Sequence, residues 1–160
     1  MLCEIDTDIV KQLVEIYFRE EYWQENKMPE DIAYNYHKKL YEQGNIQVFE
    51  KDGLVLGYYE VWRINFEQFG RIICHIPFYA DSEDVVNGNI AFVANTWIKS
   101  EYRNSYVYKV LRNLFFKHNF KCDYYCGEAL RKKTQPVKVF KKSELLSKLF
   151  KEGAVKDGFI

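Results

Sequence analysis

From Asn89 to Tyr108 the chain reads NIAFVANTWIKSEYRNSYVY and runs directly into KVLRNLFFKHN. An apolar strand, a short polar turn carrying Arg103 and an amphipathic helix from about Ser105 to His118 are expected here. A second short apolar segment, KCDYYCG at 121–127, reads as another strand. Two strands with a helix between them need a crossover connection. Strands at 90–98 and 121–127 should therefore be parallel neighbours, with the helix packed on one face of the sheet. The same corner leaves backbone N–H groups free at a helix N-terminus, where an anion can sit.

The rest of the chain supplies layers for that unit. Ile9, Leu13, Ile16 and Tyr17 recur at helical spacing behind a cap at Asp6, Thr7 or Asp8, in a helix ending before Asn26. Met28-Pro29-Glu30-Asp31 opens a second helix with Ile32, Tyr36 and Leu40 as its inner stripe and Gly44 as its stop. Asn45–Phe49 and Leu54–Phe66 read as strands joined by a hairpin turn at Lys51-Asp52-Gly53. A third strand is expected at Arg71–Tyr79 after a turn at Gly70, then a loop over 81–89. A last helix is expected near Ser143–Phe150, capped by Ser143. The predicted order is α-α-β-β-β-β-α-β-α.

With 160 residues, 48% hydrophobic and 29% charged, the chain fits a single domain over 1–160 with its own core. An aromatic content of 18% serves either large core side chains or an interaction surface. Net charge is zero, yet residues 1–70 carry 7 Lys/Arg against 14 Asp/Glu and residues 71–160 carry 16 against 9. The C-terminal half should therefore attract anions: CoA phosphates, nucleic acid or an acidic protein surface. Cys3, Cys74, Cys122 and Cys126 are scattered. Cys122 and Cys126 are about 13 Å apart if they lie on one strand, too far to chelate one ion together, and no metal is expected. Without a secretory signal or an apolar run of about 18 residues, the expectation is a cytoplasmic protein with reduced thiols and no membrane partner.

Ile98-Lys99-Ser100-Glu101-Tyr102-Arg103, followed by Asn104-Ser105-Tyr106-Val107-Tyr108, resembles the end of the fourth strand and the pyrophosphate loop of the GNAT superfamily of acyl-CoA N-acyltransferases. That family has Arg/Gln-x-x-Gly-x-Gly/Ala at the head of the helix. Here the Arg is present and both small positions are Tyr, which opposes close backbone approach to phosphate. The segment RKKTQPVKVFKKSEL is similar in spacing to the family element that follows strand five. In it Thr134 falls in the turn, Val137 and Val139 on the buried face, Lys133 at the family's Asn, Glu144-Leu145 at its Gly-Phe, and Phe140 at its proton-donating Tyr. The resemblance covers about residues 8 to 146. It implies an α+β fold, a mixed and mostly antiparallel sheet flanked by helices, with strands four and five splayed apart.

The resemblance also implies a function: transfer of an acyl group, from acetyl-CoA for instance, to an unknown amine by direct attack on the thioester. Trp97 and Ile98 would face the pantetheine arm, and Arg103, Asn104, Ser105, Tyr106, Val107 and Tyr108 would form the phosphate loop. Catalysis needs a proton acceptor near the sheet centre, and Glu60 in GYYEVW or His75 in IICHIPF can serve, although either can equally be a structural residue. Tyr124, or its neighbour Tyr125, offers a proton donor that Phe140 does not. A rival reading has no chemistry. A degenerate domain of the same fold, of phage or mobile-element origin, would bind nucleic acid or an acidic protein through the basic stretch Arg131 to Lys142, which is otherwise a solvated face.

Overall fold

The computed structural model describes residues 4–20, 27–103, 106–127 and 137–151. Helices α1 (Glu4–Arg19) and α2 (Glu30–Glu42) precede the antiparallel strands β1 (Ile46–Lys51) and β2 (Leu54–Ile64). Helix α3 (Phe66–Ile73) comes next, then β3 (Ile90–Ile98), a 3-10 turn (Ser100–Tyr102), α4 (Tyr106–Asn119), β4 (Tyr124–Gly127), β5 (Lys138–Lys141) and α5 (Lys142–Lys151). The β1–β2 turn is held by Asp52 and Gly53, both at positive φ (53° and 76°), the conformation a two-residue hairpin requires. The strands form one sheet in the order β1-β2-β3-β4-β5. Only the β3–β4 pair is parallel, and α4 makes the crossover between them.

Both faces of this sheet are covered. On one, Ile9, Leu13 and Ile16 of α1 and Leu40 of α2 pack with Tyr58, Ile64, Ile90 and Phe92. On the other, Val107 and Leu111 of α4 pack with Leu56, Tyr59, Val61, Ala91 and Tyr125. Two bulges phase the strands. Phe49 pairs with Gly57 and Glu50 with Val55, so Leu56 is an extra residue in β2. Glu60 pairs with Asn95 and Val61 with Val93, so Ala94 is an extra residue in β3. Each bulge switches the facing of everything beyond it. Val55 and Tyr58 share a face although three residues apart, and so do Ala94 and Trp97.

The expected parallel pair is present, but it is short. Ile90 to Val93 pair with Tyr124 to Gly127, and β3 then continues through 94–98 with no β4 partner among the described residues. The sheet is mixed and mostly antiparallel, the α+β architecture that the sequence called for.

Three expectations need correction. The strand expected at Arg71–Tyr79 is instead α3 and an irregular segment. Asn65 accepts from the Gln68 N–H at 2.8 Å and the Gln68 side chain accepts from the Asn65 N–H at 3.0 Å, a capping box that starts a helix. The helix ends with His75 N–H donating to the Ile72 carbonyl (3.1 Å) and Ile76 N–H to the Arg71 carbonyl (2.9 Å). That is a Schellman motif with His75 in the left-handed position (φ 55°), where α2 has Gly44 (φ 78°). Second, Lys138–Lys141 is a strand antiparallel to β4, with Phe140 opposite Tyr125 and Val139 exposed rather than buried. Third, the terminal helices start early. Asp6, Thr7 and Asp8 lie inside α1 rather than capping it, and Ser143 lies inside α5.

None of the described helices is long and apolar enough to cross a membrane.

Two substitutions test these local readings in opposite directions. His75→Gly relieves a left-handed residue on an exposed cap and should raise stability by roughly 0.5–1 kcal/mol in urea denaturation. A Cβ on Gly88 would stand 2.0 Å from the Ile64 carbonyl carbon. Gly88→Ala should therefore cost about 3 kcal/mol, the upper end of overpacking.

Candidate functional site

The β3 bulge falls beside the last described β3–β4 pair, Val93 with Gly127. Glu60 and Asn95 are cross-strand partners there, with Ala94 bulged beside them. Helix α2 crosses above, because its inner stripe docks Leu40 on the sheet and brings Tyr36 and His37 one turn earlier over β2. The result is an open cavity of about 280 Å³ whose lining includes Tyr17, Tyr36, His37, Glu60, Trp62 and Asn95, with Met28, Ile72, Phe92 and Ala94 completing the wall.

Glu60 is the chemical centre of this cavity. It is buried, and Oε1 accepts from Tyr36 Oη at 2.8 Å and from Trp62 Nε1 at 2.7 Å. Oε2 has no protein partner among the described residues and is the oxygen available to a ligand. Burial raises the carboxyl above the ordinary Glu range, and the two hydrogen bonds oppose this only in part. Tyr36 is pushed the other way from ionisation: burial and the neighbouring Glu60 carboxylate raise its phenol well above normal, so it stays a donor.

Two further polar groups face the same space. His37 is buried, and its Nδ1 lies 2.7 Å from the Ala33 carbonyl, which can only accept. The proton is therefore on Nδ1. Burial lowers the imidazole below its usual range, so the ring is neutral and Nε2 carries an open lone pair. Asn95 Nδ2 donates to Tyr58 Oη at 2.8 Å, while its Oδ1 is buried with no partner. Trp62 stacks on Phe92 with ring centroids 5.6 Å apart, and His37 stands against the rings of Tyr17 (5.3 Å) and Tyr36 (5.5 Å).

The expected cofactor residues follow the end of β3, where Asn95 to Ile98 pair with β2 and have no β4 partner among the described residues. Trp97 stacks on Tyr58 at 6.2 Å and donates from Nε1 to Glu20 at 2.6 Å. The Ile98 carbonyl accepts from Arg103 Nε at 3.3 Å across the 3-10 turn, and the rest of the Arg103 guanidinium is exposed. Asn104 and Ser105 lie outside the described residues. Val107 is buried, which fixes the first turn of α4 on the sheet. Tyr106 and Tyr108 are 72% and 51% exposed, and the Tyr106 ring packs edge-on against Phe49 at 6.3 Å. The rings therefore lie outward of the helix start. Gly57 allows this close approach, since a Cβ there would meet Leu111 Cδ1 at 2.7 Å and the Trp97 carbonyl oxygen at 3.2 Å.

Of the catalytic candidates only Glu60 lines the cavity. His75 is not on a central strand at all but on an exposed helix cap, so the strand placement that made it a candidate is corrected. Tyr124 shares a sheet face with Glu60 but pairs with Ile90, five residues along β3 from Asn95 and hence about 16 Å away. Its ring packs on Phe66 at 5.2 Å. Tyr125 faces the opposite layer and donates to the Asn119 carbonyl at 3.0 Å. Residues 131–136 of the basic stretch lie outside the described residues. Lys142 donates to the Phe120 carbonyl at 2.6 Å and lies 4.4 Å over the exposed Phe120 ring. By sequence Tyr36 was placed only on the inner stripe of α2, and His37 and Asn95 were not singled out. Glu60, a charge inside an apolar strand, is the signal that pointed to this place.

No family model and no curated protein matches the chain. Among solved structures it is similar to a diaminobutyrate acetyltransferase from Paenibacillus lautus, solved with its substrate L-2,4-diaminobutyric acid and coenzyme A. Identity is 11% over 94% of this chain and 71% of that one, with a TM-score of 0.49. It is also similar to an N-acetyltransferase from Staphylococcus aureus Mu50, at 13% identity over 78% of this chain and 76% of that one, with a TM-score of 0.42.

The Glu60 environment has a thermodynamic signature. Its folded-state pKa is raised, so between the unfolded value of about 4.3 and the folded value the native state binds the extra proton, and stability falls as pH rises across that window. Glu60→Gln keeps an acceptor for Tyr36 and Trp62 without the charge. Urea denaturation at pH 5 and pH 8 should show a flatter pH dependence for the variant and a gain over wild type at pH 8.

Proposed function

We propose that the chain is an acyl-CoA-dependent N-acyltransferase acting on an amine held in the Glu60 cavity. The observation that carries this reading is a buried carboxylate of raised proton affinity that lines an open cavity beside the β3 bulge. The surroundings fit the cofactor. Along 94–98, β3 has no β4 partner among the described residues, and backbone groups on that side would suit an extended amide-bearing arm in the manner of strand addition. Arg103 and the first N–H groups of α4, near Tyr106, Val107 and Tyr108, offer a positive pole for phosphates, and the outward tyrosine rings leave that pole open. Bound acyl-CoA supplies an activated acyl carbonyl and a thiolate leaving group.

The chain's own residues do the rest. Glu60 Oε2 accepts a proton from the incoming ammonium, and its raised proton affinity makes it a better base than an exposed carboxylate. Tyr36 and Trp62 hold the carboxylate in one rotamer. The bulge at Ala94 breaks the ladder beside Glu60 and frees backbone polar groups where an oxyanion needs donors. The Tyr36 phenol, hydrogen-bonded to Glu60, replaces Tyr124 as the proton donor of this reading.

Calorimetry with acetyl-CoA, followed by a thiol-release assay against a panel of amines, tests the proposal. Arg103→Ala should weaken acetyl-CoA binding by about 1–3 kcal/mol. Glu60→Gln should lower kcat by about 100-fold or more, and wild-type activity should rise with pH as Glu60 deprotonates. A protein that binds no acetyl-CoA at millimolar concentration would leave the non-enzymatic binding module in its place.

A further inference from the structure

The Glu60 cavity is built from acceptors. Glu60 Oε2, Asn95 Oδ1 and His37 Nε2 all face it or its wall, and none has a protein donor among the described residues. Asn95 Oδ1 is buried and unpaired, which is costly, and a donor-rich guest would satisfy it together with the Glu60 carboxylate and the His37 ring nitrogen. A primary ammonium carries three N–H donors and matches this set; a hydroxyl has one. The acceptors are not scattered, since Glu60 and Asn95 are direct cross-strand partners and Tyr36, which bonds Glu60, is the chain neighbour of His37.

The remaining wall is aromatic and apolar. Tyr17, Tyr36, Trp62 and Phe92 contribute rings, with Met28, Ile72 and Ala94 between them. Such rings favour a cation at their faces and an apolar, flat body behind it. No lysine or arginine is among the described lining residues. The nearby Lys27 is turned away, donating to the Phe18 carbonyl and lying 5.5 Å over the Phe18 ring. Among the described residues nothing would pair a carboxylate or phosphate beside the amine, and the Glu60 carboxylate would repel it.

We infer that the acceptor is a small primary amine on an apolar, aromatic body with no acid group beside the nitrogen, an arylalkylamine rather than an amino acid. This rests on the acyltransferase reading for its chemistry. Transfer then forms the N–C(acyl) bond and breaks the thioester C–S bond. The ammonium gives up two protons in all, one passing through Glu60 to solvent and one ending on the thiolate.

The test uses the full chain and separates binding from turnover. By calorimetry without acyl-CoA, 2-phenylethylamine should bind at least 30-fold tighter than L-phenylalanine, which has the same body plus a carboxylate, and than 2-phenylethanol, which lacks the ammonium. Asn95→Leu should lose at least 10-fold in 2-phenylethylamine affinity, whereas Asn95→Asp, which retains an acceptor, should bind as wild type or better. His37→Phe gives a second, independent loss, and thermal melting confirms that each variant is folded. Equal or tighter binding of L-phenylalanine, or no binding of 2-phenylethylamine, overturns the inference. If L-phenylalanine or another acidic amine is nevertheless acetylated, the acyltransferase reading survives it. If the discrimination holds but acetyl-CoA yields no transfer, the amine site stands and the acyltransferase reading falls.

Discussion

A carboxylate buried between apolar layers is the demand that organises this molecule. Glu60 sits near the middle of β2, a strand whose residues from Val55 to Val61 are all buried. Left unpaired it would cost several kcal/mol. Tyr36 and Trp62 relieve that cost, and because Tyr36 belongs to α2, the helix can dock in only one register over the sheet. The docked helix in turn sets His37 in the cavity wall. The bulge at Ala94 places Asn95 opposite Glu60 and still lets Trp97 face Tyr58. Removing the carboxylate's partners would thus misplace the cavity wall as well as the charge.

What sequence conveys here is local and periodic. The Asp52-Gly53 hairpin, the Gly44 stop of α2 and the strand-helix-strand crossover at 90–127 each rest on turn chemistry or on a period held over many residues, and each is where the pattern put it. Arg71–Tyr79 misled because RIICHIPF is apolar enough for a strand. The deciding groups were the Asn65 and Gln68 side chains upstream and a non-glycine residue, His75, accepting the left-handed cap. β5 is short and flanked by lysines, and only its pairing with β4 makes it a strand. At the site, Glu60 was legible as a charge inside an apolar strand. Tyr36 and His37 were not, since helical spacing shows which residues face inward but not what they meet there.

The charge asymmetry of the chain acquires a geometry. Tyr17, Met28, Tyr36, His37, Glu60 and Trp62 come from residues 1–70, the half with 14 acidic against 7 basic residues. Arg103, α4 and β4 come from the half with 16 basic against 9 acidic residues. An amine cavity at the β3 bulge and a phosphate-binding corner at the head of α4 would each lie in the field that attracts its own ligand, so two oppositely charged reactants would arrive from different directions and meet at the bulge.

Asn45 has a mechanical meaning. Directly after the Gly44 cap, its Nδ2 donates to both the Val61 and Val85 carbonyls at 2.8 Å, and its own carbonyl accepts from Val61 N–H at 2.9 Å. The C-terminal end of α2 is thereby riveted to β2 one residue beyond Glu60. Helix α3 is fastened to the same frame through Gln68 to the Asp84 carbonyl and Arg71 to Glu83. Tyr17 on α1 accepts from the Met28 N–H at 3.1 Å and packs against the His37 ring. The α2 and α3 walls of the chamber are thus fixed by hydrogen bonds that do not involve Glu60, so the cavity keeps its shape when that carboxylate exchanges its proton or its guest.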